Sequence, residues 1–360
     1  MNRHPRLFLG SCLGIVLAAA IVFPRTEQNS LKPAAAPGWS VQTSGTTASL
    51  RGISVVDDRT AWASGSKGTV LRTVDGGTTW TAMIVPGAET TDFRDIEAFG
   101  ANSALAMGIS RPAKIFRTDD GGKTWVQTYH NDAEGIFLDG LAFFDEKNGL
   151  AVGDPMDGRF FIIATEDGGK TWSPLPPESR PVGHEGEAAF AASGTSLAVQ
   201  GKTRAWLATG GPVSRVWRSE DRGRLWEAVS SSLLEGTAST GGFSAVFSDE
   251  RNGITVGGDY KAEAAAVGNV AVSTDGGKSW TPVNDKQPGG FREAVAFVPG
   301  TKPQMAVTVG PSGSDYSFDG GRSWAPIETP AGFHSVGFAK KGRAGWAVGK
   351  NGLIAKFEMR

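Results

Sequence analysis

The chain has 360 residues, with 36 Lys or Arg against 37 Asp or Glu, and a formal net charge of −1. This balance leaves no basic excess and therefore argues against nucleic acid as a partner. The 50 glycines and 11 tryptophans are typical of an all-β repeat protein with glycine-rich turns and aromatic strands.

The first 23 residues form a segment of their own. Arg3 and Arg6 precede an apolar run over residues 7–23, which is the pattern of a secretory signal peptide. The run is long enough that an uncleaved N-terminal anchor is the alternative. Either outcome predicts a periplasmic or secreted protein. Cleavage would remove Cys12, the only cysteine, and with it any disulfide or thiol chemistry. Residues 24–38 are rich in Pro and Ala and predict a flexible tether.

Six copies of the motif Ser/Thr-x-Asp-x-Gly-x-x-Trp follow at a spacing that indicates a repeat architecture. Their aspartates are Asp75, Asp120, Asp167, Asp221, Asp275 and Asp319. In each copy the Asp and the hydroxyl can accept backbone N–H bonds, and the glycines permit a tight turn before the Trp opens a strand. Six equivalent copies around a ring cannot share one site, so we interpret these aspartates as structural. In the fourth copy Arg222 and Leu225 replace Gly and Thr/Ser, which predicts a strained or differently shaped turn.

Each motif follows three strand-like segments, so every unit has four strands and reads as a propeller blade. After the sixth motif, residues 333–338, 345–349 and 353–357 give three more strands but no motif. Residues 39–43, from Trp39 to Thr43, look like the missing fourth strand. Pairing them with the C-terminal strands would hide both open ends. The sequence therefore predicts a single seven-bladed β-propeller over residues 39–360, with a six-bladed ring as the alternative.

The repeat register also predicts which residues surround the mouth opposite the motifs. The second position of the first strand is occupied by Arg51, Arg94, Asp139, Ser244, Arg292 and His334, with the fourth unit ambiguous near Glu187. Guanidinium groups suit carboxylates and phosphates. We therefore expect Arg51, Arg94 and Arg292, with His334 and the loop at His184, to bind a partner or an anion. The alternative is that each Arg pairs with a neighbouring acid such as Asp139, Glu187 or Glu293 and holds blades together.

The sequence offers no metal or cofactor signature. The segment from Asp154 to Asp157 lacks the ligand density of a calcium loop, and the histidines show no metal-binding spacing. We therefore expect no metal and no cofactor. The candidates for a catalytic role are Asp154, Glu187 and Tyr260.

The six motifs are Asp-boxes, the repeats named after bacterial neuraminidases (BNR), and the chain resembles the photosystem II stability/assembly factor family. The matching segments are Asn148-Gly-Leu-Ala-Val-Gly153, which leads to a box, and Trp346-Ala-Val-Gly349, its counterpart in the last unit. The resemblance implies a seven-bladed lumenal or periplasmic assembly chaperone that binds proteins and performs no chemistry. It also implies an arginine patch, with Arg51, Arg94 and Arg292 as candidate counterparts. Photosystem assembly itself is not implied, because such repeats also occur in bacteria without photosynthesis.

Two functions remain open from the sequence. The first is an exported, non-catalytic and monomeric scaffold that binds a protein or membrane-complex partner. The second is a glycoside hydrolase of the sialidase-like BNR type, which would bind a carbohydrate or anionic ligand. Sialidases use a Tyr nucleophile with an acidic partner, and other glycosidases use two facing carboxylates, here Asp154 and Glu187.

Overall fold

The structure, a computed structural model, describes residues 36–302, 304–328 and 330–359. The predicted signal segment and most of the predicted tether lie outside these residues. The described chain forms seven four-stranded antiparallel sheets, each a blade of a β-propeller, as predicted. No helix in the described part of the chain is long and apolar enough to cross a membrane.

The strands follow one another around the ring in chain order, with the innermost strand of each blade first. The N-terminal strand is β1 (Gly38–Gln42). Blades 1 to 3 contain β2 (Leu50–Val55), β3 (Ala61–Gly65), β4 (Thr69–Thr73), β5 (Thr81–Ile84), β6 (Phe93–Ala98), β7 (Ala104–Gly108), β8 (Ala113–Thr118), β9 (Val126–Asn131), β10 (Leu138–Phe143), β11 (Gly149–Met156), β12 (Arg159–Thr165) and β13 (Ser173–Pro174).

Blades 4 to 6 contain β14 (Leu197–Gln200), β15 (Arg204–Ala208), β16 (Arg215–Ser219), β17 (Glu227–Ser230), β18 (Thr240–Phe247), β19 (Gly253–Asp259), β20 (Val270–Ser273), β21 (Thr281–Pro282), β22 (Ala294–Phe297), β23 (Ala306–Gly310), β24 (Gly313–Ser317) and β25 (Ala325–Ile327). Blade 7 contains β26 (Phe333–Phe338), β27 (Gly345–Gly349) and β28 (Ile354–Glu358). Two short 3₁₀ turns lie at Pro177–Ser179 and Lys350–Gly352.

The N-terminal strand closes the ring. Strand β1 pairs with β28, with Trp39 opposite Phe357, and so supplies the outer strand of blade 7. Gln42 of β1 accepts hydrogen bonds from the indole N–H groups of Trp80 in blade 1 and Trp346 in blade 7, both at 2.9 Å. The predicted closure is therefore confirmed, and one glutamine side chain joins the first blade to the last.

Each Asp-box lies in the turn between the third and fourth strands of its blade. In the third box the Asp167 carboxylate accepts bonds from the Thr165 and Thr171 hydroxyls and from two backbone N–H groups. These bonds favour the charged form and hold the pKa of Asp75, Asp120 and Asp167 at about 2. All these donors lie within the box's own turn, which supports the structural interpretation.

The fourth box keeps the shape of the others. Asp221 accepts bonds from the Ser219 hydroxyl and from the backbone N–H groups of Arg224 and Leu225. Arg222 occupies the first glycine position at a φ of 63°, in the left-handed region. The expected strain is therefore local to Arg222, and the turn is not reshaped.

The core consists of apolar layers between adjacent blades, not of one central cluster. Leu50 and Leu71 of blade 1 pack in one cluster with Trp346 and Val348 of blade 7. Because each blade buries its faces against its neighbours, the ring presents two irregular faces of turns. One face carries the Asp-boxes, and the other carries the site described next.

Candidate functional site

A concave cavity of about 540 Å³ opens on the face opposite the Asp-boxes, and we call it the cup. Its walls come from the inner strands and the turns between second and third strands. The lining residues of predicted interest are Arg51, Arg94, Asp154, Tyr260 and His334. Among the described residues, no group of three or more His, Cys, Asp or Glu could hold a metal ion.

In blades 1, 2, 5 and 7 a β-bulge at the start of the innermost strand turns one side chain toward the cup, whereas the bulged Asp139 of blade 3 is buried. The register shifts at Arg51 in β2, Arg94 in β6, Phe243 in β18 and His334 in β26. Bulges re-aim a side chain in this way. In blade 5 the bulged residue is Phe243, so the predicted position of Ser244 was one residue too late.

Arg292 was also assigned to the wrong register. Gly310 faces the Phe291 carbonyl and the Arg292 Cα, in the same way that Gly65 of blade 1 faces the Ser49 carbonyl and the Leu50 Cα. Arg292 therefore corresponds to Leu50, and Glu293 corresponds to Arg51. Since a shift of one residue reverses the side-chain direction, Glu293 lines the cup and Arg292 does not.

The Arg292 side chain is buried in an ion pair. Its Nε donates to Asp315 Oδ2 at 2.7 Å, and Nη1 donates to Ser312 Oγ at 2.9 Å. Arg292 is only 2 % exposed. Arg292 therefore pairs with an acid, as in the alternative interpretation, but its partner is Asp315 of β24, and the pair lies within blade 6 and does not join two blades.

The segment at residues 188–196, which we call the plug, crosses the propeller axis and forms the floor of the cup. Besides Phe190 it contains eight small residues, each Ala, Ser, Gly or Thr. Its hydrogen bonds reach six other blades. Its hydrogen bonds are Arg51 Nη1 to the Ala192 carbonyl (3.4 Å), Arg94 Nη1 to the Ala191 carbonyl (2.9 Å), the Ala189 N–H to Asp154 Oδ1 (3.1 Å), Thr195 Oγ1 to Ser244 Oγ (2.7 Å), Ser193 Oγ to the Glu293 carbonyl (3.0 Å) and Ser335 Oγ to the Ser193 carbonyl (3.1 Å). These bonds hold the plug across the floor, so the cup opens only on the side away from the plug.

Glu187 stands immediately before the plug and anchors it. Its carboxylate accepts bonds from Thr209 Oγ1 at 2.6 Å, Trp217 Nε1 at 3.1 Å and the His184 backbone N–H at 2.9 Å, and it forms an ion pair with Arg215. The Glu187 side chain is completely buried. Although burial opposes ionisation, these donors lower its pKa. Glu187 is therefore a structural carboxylate, and the first strand of blade 4 begins later, at Leu197.

Two acids lie at the edge of the plug without a basic partner of their own. Asp139 is completely buried, and neither carboxyl oxygen has a partner of ordinary hydrogen-bond geometry in the described chain, although the Ala191 N–H approaches it. Burial, reinforced by the nearby Asp154, raises the pKa of Asp139 well above its usual range. Burial likewise raises the pKa of Asp154 to about 6. Both carboxyl groups are therefore easier to protonate beside the plug than they would be in water.

The two histidines of the prediction are separated. His334 lines the cup, and its Nδ1 lies 2.8 Å from Glu293 Oε2. Arg51 approaches the same carboxylate oxygen at 3.5 Å. His184 is exposed and is absent from the cup lining. The structure thus brings together Arg51, Arg94, His334, Asp154 and Tyr260, and it leaves out Arg292, His184 and Glu187.

The aromatic residues of the cup were missed by sequence reasoning. Phe190 of the plug stacks on Phe243, with ring centroids 3.9 Å apart and an interplanar angle of 8°. Tyr260 meets both rings edge-on, and Phe291 meets Phe243 at 4.6 Å. One available signal was the long stretch between Trp172 and the fourth box, which exceeds the regular blade and contains the small-residue run of the plug.

The fold and the boxes define an Asp-box propeller with a single-sided cup. The family model of the photosynthesis system II assembly factor YCF48 matches residues 31–134, and the BNR/Asp-box repeat model matches residues 271–282. No curated protein matches the chain. The protein is a seven-bladed BNR-repeat propeller that resembles the photosystem II assembly factor.

Solved structures share the fold at low identity. YCF48 bound to a D1 peptide is 19 % identical, with a TM-score of 0.61 over 89 % of this chain and 97 % of that chain. YCF48 from Cyanidioschyzon merolae is 19 % identical, with a TM-score of 0.59 over 89 % and 99 %. The GH74 xyloglucanase from Xanthomonas campestris is 17 % identical, with a TM-score of 0.62 over 89 % of this chain and 53 % of that chain. At these identities the likeness shows the fold alone, because propellers carry both binding and catalytic functions.

Proposed function

We propose that this protein is an exported, non-catalytic, assembly-factor-like propeller that binds a segment of a protein or membrane-complex partner in its cup. The observation that carries the proposal is the cup itself, in which Arg51 and Arg94 project over a floor that closes the channel. A closed floor with guanidinium donors suits capture of a protruding segment from one side. The YCF48 family match and the structure of YCF48 with a D1 peptide support the same function.

The glycoside hydrolase alternative has lost its predicted pair of carboxylates. Asp154 lies in the cup wall, but Glu187 is bound by four donor groups and does not line the cup. A retaining or inverting glycosidase needs two carboxyl groups that face the same bond. Turnover of xyloglucan or of sialosides by the purified protein, abolished by Asp154→Asn, would revive the alternative.

Site-specific photo-crosslinking in the native cells tests the proposal. A photoreactive phenylalanine analogue replaces Tyr260 in the cup in one strain and Thr79 on the Asp-box face in another. We expect a discrete adduct with an envelope protein from position 260 only. The Arg51→Ala/Arg94→Ala variant should lose this adduct. The matched control Lys123→Ala/Lys170→Ala removes two exposed charges from the Asp-box face and should keep it.

Two results would contradict the proposal: equal adducts from both faces, or an adduct that persists in the arginine variant with a folded plug. Export is checked separately by fractionating cells that produce the full chain or a chain without residues 1–23. We expect only the full chain outside the cytoplasm.

A further inference from the structure

The wall of the cup differs in chemistry from one side to the other. Blades 1, 2 and 7 supply Arg51, Arg94 and Lys350, which we call the cationic side, and Glu293 of blade 6 lies 3.5 Å from Arg51 at its edge. Blades 5 and 6, with the plug, supply an aromatic side, formed by Phe190, Phe243, Tyr260 and Phe291. This division is a property of the assembled ring, because the seven residues come from six separate chain segments.

The cationic side keeps free donors. Within the described chain, Arg51 uses only Nη1 in hydrogen bonding, and Arg94 uses Nη1 and Nε, the latter bonded to Asp92. Burial, together with the nearby Arg94, lowers the pKa of Arg51, although Glu293 acts in the opposite direction. The charge of Arg51 is therefore costly in this buried position, and an anion that binds beside it would reduce that cost.

On the aromatic side, Tyr260 and Phe190 present ring surface to the cup, whereas Phe243 and Phe291 are buried behind them. Tyr260 is 42 % exposed, although its ring contacts Phe190 and Phe243. Aromatic surface in a pocket gives a large apolar contact with directional ring packing. The exposed Glu263 lies on the same side and opposes a second negative charge there. A bound ligand would therefore place an anionic group near the arginines and an apolar group near Tyr260.

We propose that the cup recognises a short segment in which a carboxylate lies next to an aromatic or large aliphatic side chain. The carboxylate binds Arg51 and Arg94, and the apolar side chain packs on Tyr260 and Phe190. The plug ends the cup at its floor, so the segment enters and leaves by the same side. This inference rests on the proposed function and names the chemistry of its partner; the carboxylate belongs to an acidic side chain or to a chain end.

Synthetic peptides test the inference with the purified propeller. The parent peptide is fluorescein-Gly-Ser-Gly-Asp-Phe-Gly-Ser-amide, and its variants replace Asp with Asn or Phe with Ala. A second pair ends in Gly-Phe with either a free carboxylate or an amide. In fluorescence polarisation titrations, we expect each replacement to weaken binding about tenfold, since a buried ionic contact or an aromatic contact contributes to that order.

A double-mutant cycle assigns the contact to the aromatic side. Tyr260→Ala should weaken the Asp-Phe peptide about tenfold and leave the Asp-Ala peptide nearly unchanged, whereas Tyr260→Phe should bind like the wild type. Phe318→Ala is the matched control, because Phe318 is 40 % exposed and belongs to the sixth Asp-box on the other face. It should change neither titration.

The outcomes separate this inference from the proposed function. Binding of the Asp-Phe peptide alone assigns the carboxylate to a side chain, and binding of the free-carboxylate peptide alone assigns it to a chain end; both support the inference. The inference is overturned if the Asp and Asn peptides bind with equal measurable affinity, if Tyr260→Ala weakens neither the Asp-Phe nor the Gly-Phe carboxylate peptide, or if no peptide binds at millimolar concentration. In each of these cases a specific adduct from position 260 would still uphold the proposed function.

Discussion

The two faces of this propeller are built from equivalent positions but use them in opposite ways. On the Asp-box face, six turns repeat the same hydroxyl–carboxylate–amide bonds, so no box differs much from the next. On the cup face, the equivalent bulged position carries Arg, Asp, Phe or His according to the blade. Repeated residues thus hold the scaffold, and residues that break the repeat make the site.

Blade 4 shows the same contrast within one repeat. Its box has lost a glycine and a hydroxyl, and its inner strand is preceded by the plug. The plug is the segment that departs most from the repeat, and it forms hydrogen bonds with six other blades.

Gly194→Val in the plug should have the largest effect on stability. Gly194 has a φ of 77°, and a Cβ there would overlap the buried Asp95 carboxyl group. We expect the free energy of unfolding to fall by about 4 kcal/mol in denaturant titrations. Gly201→Val is the control, because Gly201 has a φ of 63° but open space around its Cβ, and it should cost about 2 kcal/mol. Equal losses would mean that the plug is loosely packed.

Stability should decrease as the pH rises from about 4.5 to 7. The raised pKa values of Asp139, Asp154 and Asp95 mean that the folded state binds more protons than the unfolded chain in this range. Stability falls with pH where the folded state holds the extra protons. A rise in the pKa of Asp154 from 3.8 to about 6 alone corresponds to a loss of about 2 kcal/mol across this range. The Asp-box aspartates act in the opposite direction, but only below this range, because their pKa values are lowered.

The Asp139→Asn/Asp154→Asn variant isolates this effect. Thermal or urea unfolding at several pH values should give a clearly shallower slope than the wild type, with the remainder due to Asp95 and Asp315, whose pKa values burial also raises. The single Asp154→Asn variant should lie between them. A slope unchanged in the double variant would show that these acids are already ionised beside the plug.

A complete box should contribute more to stability than the fourth box. Asp167→Ala removes four accepted hydrogen bonds, whereas Asp221→Ala removes three and leaves no threonine hydroxyl without a partner. We expect the loss from Asp167→Ala to exceed that from Asp221→Ala by about 1 kcal/mol. Urea titrations of both variants measure the difference, and a larger loss at Asp221 would contradict the role assigned to the Thr171 hydroxyl.

The sequence predicted the ring because its determinants are local and repeated. The boxes, the strand order and the fourth strand missing after the sixth box all follow from spacing, and the pairing of Trp39 with Phe357 follows from the need to cover open edges. Arg51 and Arg94 were assigned to the mouth for the same reason, because their blades keep the regular register.

The remaining features of the cup depend on contacts between distant segments. A one-residue shift before β22 exchanges Arg292 for Glu293, and no local motif reveals it. The plug contains alanines, serines and a glycine, whose role becomes visible only when six other blades surround them. Periodicity therefore predicts where a side chain should point only while the repeat is unbroken.

Restoring the fourth box should give the smallest effect, and its sign tests the contrast most directly. Leu225 is 72 % exposed and occupies the position of the hydroxyl residue that bonds the second carboxylate oxygen in the other boxes. Leu225→Thr should let its hydroxyl donate to Asp221 Oδ2 and raise the free energy of unfolding by about 0.5 kcal/mol. Leu225→Val matches the shape of threonine without the donor and serves as the control in the same urea titration. A gain in stability with Thr but not with Val would show that the fourth box is an incomplete copy of a structural turn. Equal stability of the two variants would mean that a hydroxyl at this exposed position of the box does not contribute to stability.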